Sequence, residues 1–197
     1  MRLQQYLNEV FDEDIAKERI ELIWKKCQPF LKQMKSSNFE NENLLYSGRR
    51  TGSQFAKKKV RKNRRPKDTP LDIHEWVDEW FYNKFGIRAR SNTVFCINNR
   101  NYAMTYGKAY VVFPIGKFEV IWSHAIEDLY DKATMDMGLE YWKNDFLSTY
   151  TKTYKKGDLQ GALKSGHEIM LHCKEYYMLE FYPSVNAMVL NHFMETL

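Results

Sequence analysis

The chain reads as an α+β fold, on three observations. Apolar residues recur at three- and four-residue spacing near the N-terminus and again just before Gly86. Short runs rich in β-branched and aromatic residues, SNTVFCI, AYVVF and FEVIW, fill the middle, and two more follow Gly166. Helical and extended segments are interleaved without the regular strand–helix repeat that a parallel α/β sheet requires.

Taken in order, Leu3, Leu7, Val10 and Phe11 form one apolar stripe, broken at Asp12–Asp14. Ile20, Ile23, Trp24, Cys27, Leu31 and Met34 form a second, which Pro29 is expected to kink. An N-terminal helical segment is therefore expected over 1–37 and a main domain over 38–197. LLYSG, ended by Gly48, reads as a buried strand. In TPLDIHEWVDEWFYNKFG, Thr69 suits the N-cap, Pro70 the first helical position and Gly86 the C-terminal stop. Ile73, Trp76, Val77, Trp80 and Phe81 share its apolar face, with core spacing rather than that of a base-stacking platform, and His74 is expected in solvent. SNTVFCI is a strand, NRNYAMTYG a short helix closed by Gly107, AYVVF a strand broken at Pro114, and FEVIW a further strand. A long helix is expected from Ser123, with Ile126, Leu129, Tyr130, Ala133 and Met137 inward, and a short one over LQGALKS. EIMLHC and YYMLEF read as a hairpin around Lys174-Glu175, and VNAMVLNHFMETL as a last helix.

The 197 residues, 44% of them hydrophobic and 15% aromatic, are enough for one full core. No apolar run approaches the length of a membrane span, and the N-terminus lacks a signal peptide's apolar centre, so a chain in the cytoplasm with no membrane partner is expected. Three isolated cysteines suggest buried thiols rather than a disulfide framework or a metal site.

Charge is uneven. The stretch RRTGSQFAKKKVRKNRRPK, 49–67, holds ten of the 30 Lys and Arg residues and none of the 25 acids, so the net +5 is a local excess in an acidic remainder. Such a basic loop suits either a surface that meets nucleic acid or an acidic protein, through Lys57, Lys58, Lys59, Arg61, Lys62, Arg64 and Arg65, or a merely solvated segment.

HEIMLH is close to a zinc-protease helix, but its histidines, His167 and His172, stand five apart, where a shared helix face needs four. No other pair among the five histidines has metal spacing, so no metal is expected. Gly48 and Gly52 complete no phosphate-binding loop, and no Gly-x-Ser-x-Gly elbow is present. On a strand, Glu168 would sit at the sheet's rim, either as an ordinary solvated residue or as a stiffly held carboxylate reaching a ligand.

Three pieces, in order, resemble the ADP-ribosyltransferases. LLYSGRRTGSQF, from Leu44 to Phe55, is similar to the family's first strand, where poly(ADP-ribose) polymerases carry Leu-Leu-Trp-His-Gly-Ser-Arg and toxin-like members Leu-Tyr-Arg-Gly. FCINNRNYAMTYG resembles the segment running from Tyr-Phe-Ala-Asp to Ser-Ala-Asn-Tyr, with Phe95 and Tyr106 at the interval of the two family tyrosines. GHEIMLHCKEYYMLEF is similar to the late strand that opens with a glutamate.

The resemblance implies a split, mixed β-sheet of ADP-ribosyltransferase type, with NAD in a cleft as the substrate. It implies Glu168 as the catalytic carboxylate, Tyr106 stacked on nicotinamide, Phe95 lining the same pocket, and Ser91 standing for the serine of a Ser-Thr-Ser pattern. Ser47 and Gly48 would border NAD. Position 47 is Ser where the family has His or Arg, so Arg49 or Arg50 would reach the pyrophosphate instead. The expected function is transfer of ADP-ribose from NAD to a macromolecular target, protein or nucleic acid, in a phage- or toxin-type protein acting in the host cytoplasm. The alternative is a non-catalytic binding or inhibitor module that uses 49–67.

Overall fold

The computed structural model describes residues 13–35, 44–66, 69–127, 129, 139–182, 191–193 and 195. The expected first helix, with Leu3, Leu7, Val10 and Phe11, lies outside them, as do Tyr130, Ala133 and Met137 and most of the last expected helix.

Among the described residues six strands form one sheet in an α+β arrangement. Its frame is two long antiparallel strands, β4 (Lys108–Ser123) and β6 (Ile169–Glu180), paired from Tyr110–Glu180 to Trp122–Ile169. Short strands border this frame at both ends. β1 (Tyr46–Arg49) lies on one end of β4 and β5 (Tyr154–Lys156) on the other. β2 (Phe55–Lys59) and β3 (Val94–Cys96) divide the free side of β6 in the same way. The sheet is split in this sense, but it is not mixed: every pairing among the described strands is antiparallel.

Two expected interruptions are absent, each for a local reason. Lys174-Glu175 is no turn, because neither residue favours the positive φ that two-residue hairpins need, and β6 runs straight through them. Pro114 does not break β4. It pairs with Tyr176 just before a bulge between Ile115 and Phe118, where Gly116 at φ 72° absorbs the irregularity.

The N-terminal stripe forms two helices, α1 (Glu13–Lys26) and α2 (Gln28–Lys35), separated at Cys27, so the chain breaks before Pro29 rather than kinking at it. Pro29 then lies in the first turn of α2, where its missing N–H costs nothing. Phe30 packs edge-on against Phe113 and Phe118, tying α2 to the sheet. Trp24 stacks on Phe193, the buried residue of the described helical stretch 191–193.

α3 (Leu71–Phe85) covers the other face, with Ile73, Val77 and Phe81 buried. Burial of each such side chain contributes roughly 1.5–3 kcal/mol. Successive strand residues serve opposite faces: Ile121 and Met170 meet α3's layer, while Val120, Trp122, Ile169 and Leu171 meet that of α1 and α2. Pro70, not Thr69, occupies the N-cap and supplies no side-chain bond, while Gly86 closes the helix at φ 73° as expected.

Ser123 ends β4, and its hydroxyl accepts from the N–H groups of Ala125 and Ile126. Beyond it, Ile126 and Leu129 are buried as expected, but 124–127 are not helical, so the expected helix does not start at Ser123, and Tyr154–Lys156, read as its far end, pair with β4 as β5 instead. α5 (Leu139–Asp145) continues into a π-helical segment, Phe146–Tyr150, which packs Phe146 on Trp80 and Trp142. Among the described residues there are two further short helices, α4 (Arg100–Met104), capped by Asn99, and α6 (Leu159–Ser165). Among the described residues no helix is long and apolar enough to cross a membrane.

The expected basic loop 49–67 is only partly a loop. Arg49 closes β1, and Phe55–Lys59 is an edge strand seated on β6 by the stacking of Phe55 on Tyr177, 5.2 Å between centroids. Lysines on an edge also discourage pairing with other chains.

Candidate functional site

One contact fixes where a site can form. Tyr46 and Ile97 exchange backbone hydrogen bonds of 2.7 and 2.9 Å, joining β1 to the end of β3. These strands lie on opposite sides of the β4–β6 frame, so the sheet must bend over for them to meet. Ser47 strengthens the seam by donating its hydroxyl to the Phe95 carbonyl at 2.8 Å.

A cleft of about 450 Å³ opens along this seam, within the range of small-molecule and cofactor sites. Of the residues expected to bind NAD or act on it, Ser47, Gly48, Arg49, Phe95, Tyr106 and Glu168 line its wall. Arg50 is exposed outside that wall. Ser91 stands behind it, its hydroxyl donating to Asp78 at 2.5 Å. Of the seven basic residues expected to meet nucleic acid or an acidic protein, Arg64 enters the wall, whereas Lys57, Lys58, Lys59, Arg61, Lys62 and Arg65 are exposed elsewhere.

Gly48 has a packing role that sequence reasoning did not assign. α4 approaches β1 so closely that a Cβ at Gly48 would lie 2.0 Å from the Ala103 carbonyl oxygen and 2.8 Å from Tyr106 Cβ. This approach puts Tyr102 and Tyr106 at the cleft. Gly48→Ala is expected to cost about 1–3 kcal/mol of stability, read as a fall in the denaturant midpoint. Gly52→Ala, with open space around it, is expected to be neutral by the same measurement.

Glu168 lies one residue before β6 and is anchored from both sides. Its own N–H donates to the Glu127 carbonyl at 3.0 Å, and His167 Nδ1 donates to the Ser123 carbonyl at 2.9 Å. Its carboxylate is gripped by Arg90, Nη1 to Oε1 at 2.6 Å, with both side chains largely buried. Arg90 is held in turn. Its backbone N–H donates to Asp78 at 2.7 Å, and its guanidinium lies 4.4 Å from the centroid of Phe95. Arg64 lies 3.8 Å from the same centroid, so two guanidinium groups contact one ring. Burial, and then repulsion from Arg90, lower the Arg64 pKa to about 10, which still leaves it charged at neutral pH.

Arg90, His74, Thr69, Tyr102 and Glu127 belong to the wall and were not assigned to a site from the sequence. His74 is 4% exposed rather than solvated, and its Nε2 lies 3.4 Å from the Ser91 hydroxyl. A signal for it existed: His74 and Asp78 are one turn apart on the same helix face, both turned toward Ser91.

Burial, and then the charge of Arg90, hold the His74 pKa below 6.5, and burial does the same to His172. The unfolded chain therefore binds protons at a pH where these folded histidines remain neutral. Their contribution to stability is complete above about pH 6.5 and is lost as pH falls toward the folded pKa values. The denaturant midpoint is expected to fall between pH 7 and about 5.5, with a shallower slope in His74→Gln.

The site's surplus is positive. Arg49, Arg64 and Arg90 face only Glu127 and Glu168 among the wall's charged carboxylate partners. The buried Nε atoms of Arg49 and Arg90 have no hydrogen-bond partner among the described residues. The arrangement therefore suits an anion with several acceptor atoms, bound next to flat aromatic surfaces. No cluster of three or more His, Cys, Asp or Glu residues that could hold a metal occurs among the described residues. Cys96 borders the cleft, but burial raises its thiol pKa, and Cys173 is pushed up to about 12, so neither supplies a thiolate near neutrality. Compared with known proteins, the chain matches no family model, no curated protein and no solved structure.

Proposed function

We propose that the cleft binds NAD and that the protein transfers ADP-ribose from it to a macromolecule in the cytoplasm. The observation that carries this reading is convergence. Ser47–Arg49, Phe95 with Tyr106, and Glu168 come from three distant parts of the chain, were selected together by their resemblance to one family, and line one cleft.

The residues fit such a substrate. A pyrophosphate needs forked cationic donors, and Arg49, Arg64 and Arg90 line the cleft. Tyr106 offers aromatic surface for nicotinamide, and Phe95, its ring already against Arg64 and Arg90, borders the same cleft. Ser47 does not replace the family's His or Arg as a clamp, since its hydroxyl is spent on the Phe95 carbonyl. Arg49, two residues on, takes that part.

In the reaction the bond between ribose C1′ and the nicotinamide nitrogen breaks, with its electron pair leaving on nicotinamide. An acceptor atom bonds to C1′ and loses its proton. Positive charge builds on the ribose as the bond lengthens, so the Glu168 carboxylate stabilises the transition state more than the bound substrate. Arg90 and the anchored backbone around Glu168 hold that carboxylate in one geometry. The test is nicotinamide release from NAD by the intact protein, followed by labelling of lysate macromolecules with ADP-ribose.

A second reading, a non-catalytic module that binds through the basic segment, draws on the exposure of Lys58, Lys59, Arg61, Lys62 and Arg65. It predicts binding of a polyanion with no nicotinamide release.

A further inference from the structure

We propose that the acceptor is a single-stranded nucleic acid, led to Glu168 by the basic segment; this rests on the transferase reading above. The first argument is direction. β2 runs antiparallel to β6, with Lys57 opposite Tyr177 and Lys59 opposite Glu175. The chain then continues along the same edge: the Val60 N–H donates to the Lys174 carbonyl, and Arg64 reaches the Ser91 carbonyl and the ring of Phe95, which pairs with Met170. Residues 57–64 thus descend β6 toward the end where Glu168 stands. A polymer following them arrives at the carboxylate.

The second argument is charge. Lys58, Lys59, Arg61, Lys62 and Arg65 are exposed, and the segment contains no acid. Lys57 is already paired with Glu175, Nζ to Oε2 at 2.8 Å, and is the least available of the set. Arg64, at the lower end, is half-buried in the cleft wall, so the positive strip is continuous with the site. Phosphates at regular spacing match such a strip and release counterions on binding.

The third argument separates nucleic acid from an acidic protein. α4 presents Tyr102, 39% exposed, at the cleft, with its ring centroid 6.0 Å from that of Tyr106. Tyr102 shares the cleft wall with Arg64, where the basic track ends, and an exposed aromatic ring at the end of a basic track suits unpaired bases, with stacking on the ring and phosphates on the cations. A duplex keeps its bases stacked on each other and leaves that ring unused. Chemically, a base amine or ring nitrogen bonds to C1′ and releases its proton to solvent, while nicotinamide leaves with the electron pair of the broken bond.

The experiment measures binding and chemistry separately. Roughly 12-nucleotide single-stranded DNA and RNA, the matching duplexes and poly-glutamate are titrated with the full chain across a salt series. The intact protein is expected to bind single strands more tightly than duplex or poly-glutamate. Changing Lys58, Lys59, Arg61, Lys62 and Arg65 together to Gln is expected to weaken binding at least tenfold. It should also reduce the slope of log K against log salt by as much as about 3. Nicotinamide release without acceptor should be unchanged in that variant. Tyr102→Ala is expected to weaken single-strand binding about tenfold and duplex binding little.

Binding that survives the five changes, or a preference for poly-glutamate, overturns the proposal. Duplex binding as tight as single-strand binding, together with no effect of Tyr102→Ala, overturns the single-strand assignment. Single-strand binding lost in the five-residue variant, with no nicotinamide release from the intact protein, upholds the surface and rejects the transferase.

Discussion

Arg90→Met is expected to lower the unfolding free energy by about 3 kcal/mol, because it leaves the Glu168 carboxylate buried without its counter-charge. Glu168 is held at 2.6 Å by a guanidinium that is itself only 6% exposed, so little water is available to replace it. Methionine keeps an unbranched stem against Phe95 and so isolates the loss of charge from the loss of packing. The denaturant midpoint reads the effect. Removing the stranded charge as well, in Arg90→Met with Glu168→Gln, is expected to restore most of the lost stability. The two changes are then strongly non-additive, as a direct ion pair requires. Additive losses would mean that the pair is incidental to this corner of the fold.

Glu168→Gln is expected to slow nicotinamide release by about 100- to 1,000-fold while the chain stays folded. The amide keeps the size of the carboxylate, and its oxygen still accepts from Arg90 Nη1. What it loses is the negative charge that would face the developing ribose cation. Because Glu168→Gln leaves the Arg90 charge buried without its counter-charge, the midpoint is expected to fall as well, and the rates are compared at equal folded concentration so that catalysis is separated from stability. The Arg90→Met, Glu168→Gln double variant guards against misfolding, since it is expected to be inactive although its stability is largely recovered.

Much of this site was legible in the chain, and the part that was not follows a pattern. α3 could be read because its apolar spacing and Gly86 act locally, within a few residues. Glu168, Phe95 and Tyr106 could be picked out because each sits in a short segment with its own resemblance. Arg90 could not, because its meaning depends on Glu168, 78 positions away, and on a Phe95 ring that a strand must turn toward it. His74 misled for a related reason: it lies beside the apolar stripe, and only the return of the chain at Arg90–Ser91 covers it.

The sheet shows the same division. β1, β3, β4 and β6 were visible as apolar runs, but their continuity was not, and β5, with two lysines in three residues, was read as helix. Pro114 and Lys174-Glu175 look like interruptions in isolation, and only pairing across the β4–β6 frame carries the chain past them. β2 was hidden differently. A strand that spends three of its five residues on lysine has no alternating pattern, and it forms because β6 offers an open edge and Tyr177 a ring for Phe55. The seam between Tyr46 and Ile97, which creates the cleft, has no local signature at all.

The central claim is that this cleft cleaves NAD with Glu168 as its carboxylate. The most direct test is the rate of nicotinamide release from NAD, measured side by side for the intact protein and for Glu168→Gln at equal folded concentration. The expected result is release by the intact protein and a rate at least about 100-fold lower in the variant. No release by the intact protein, or equal release by both, would contradict the claim.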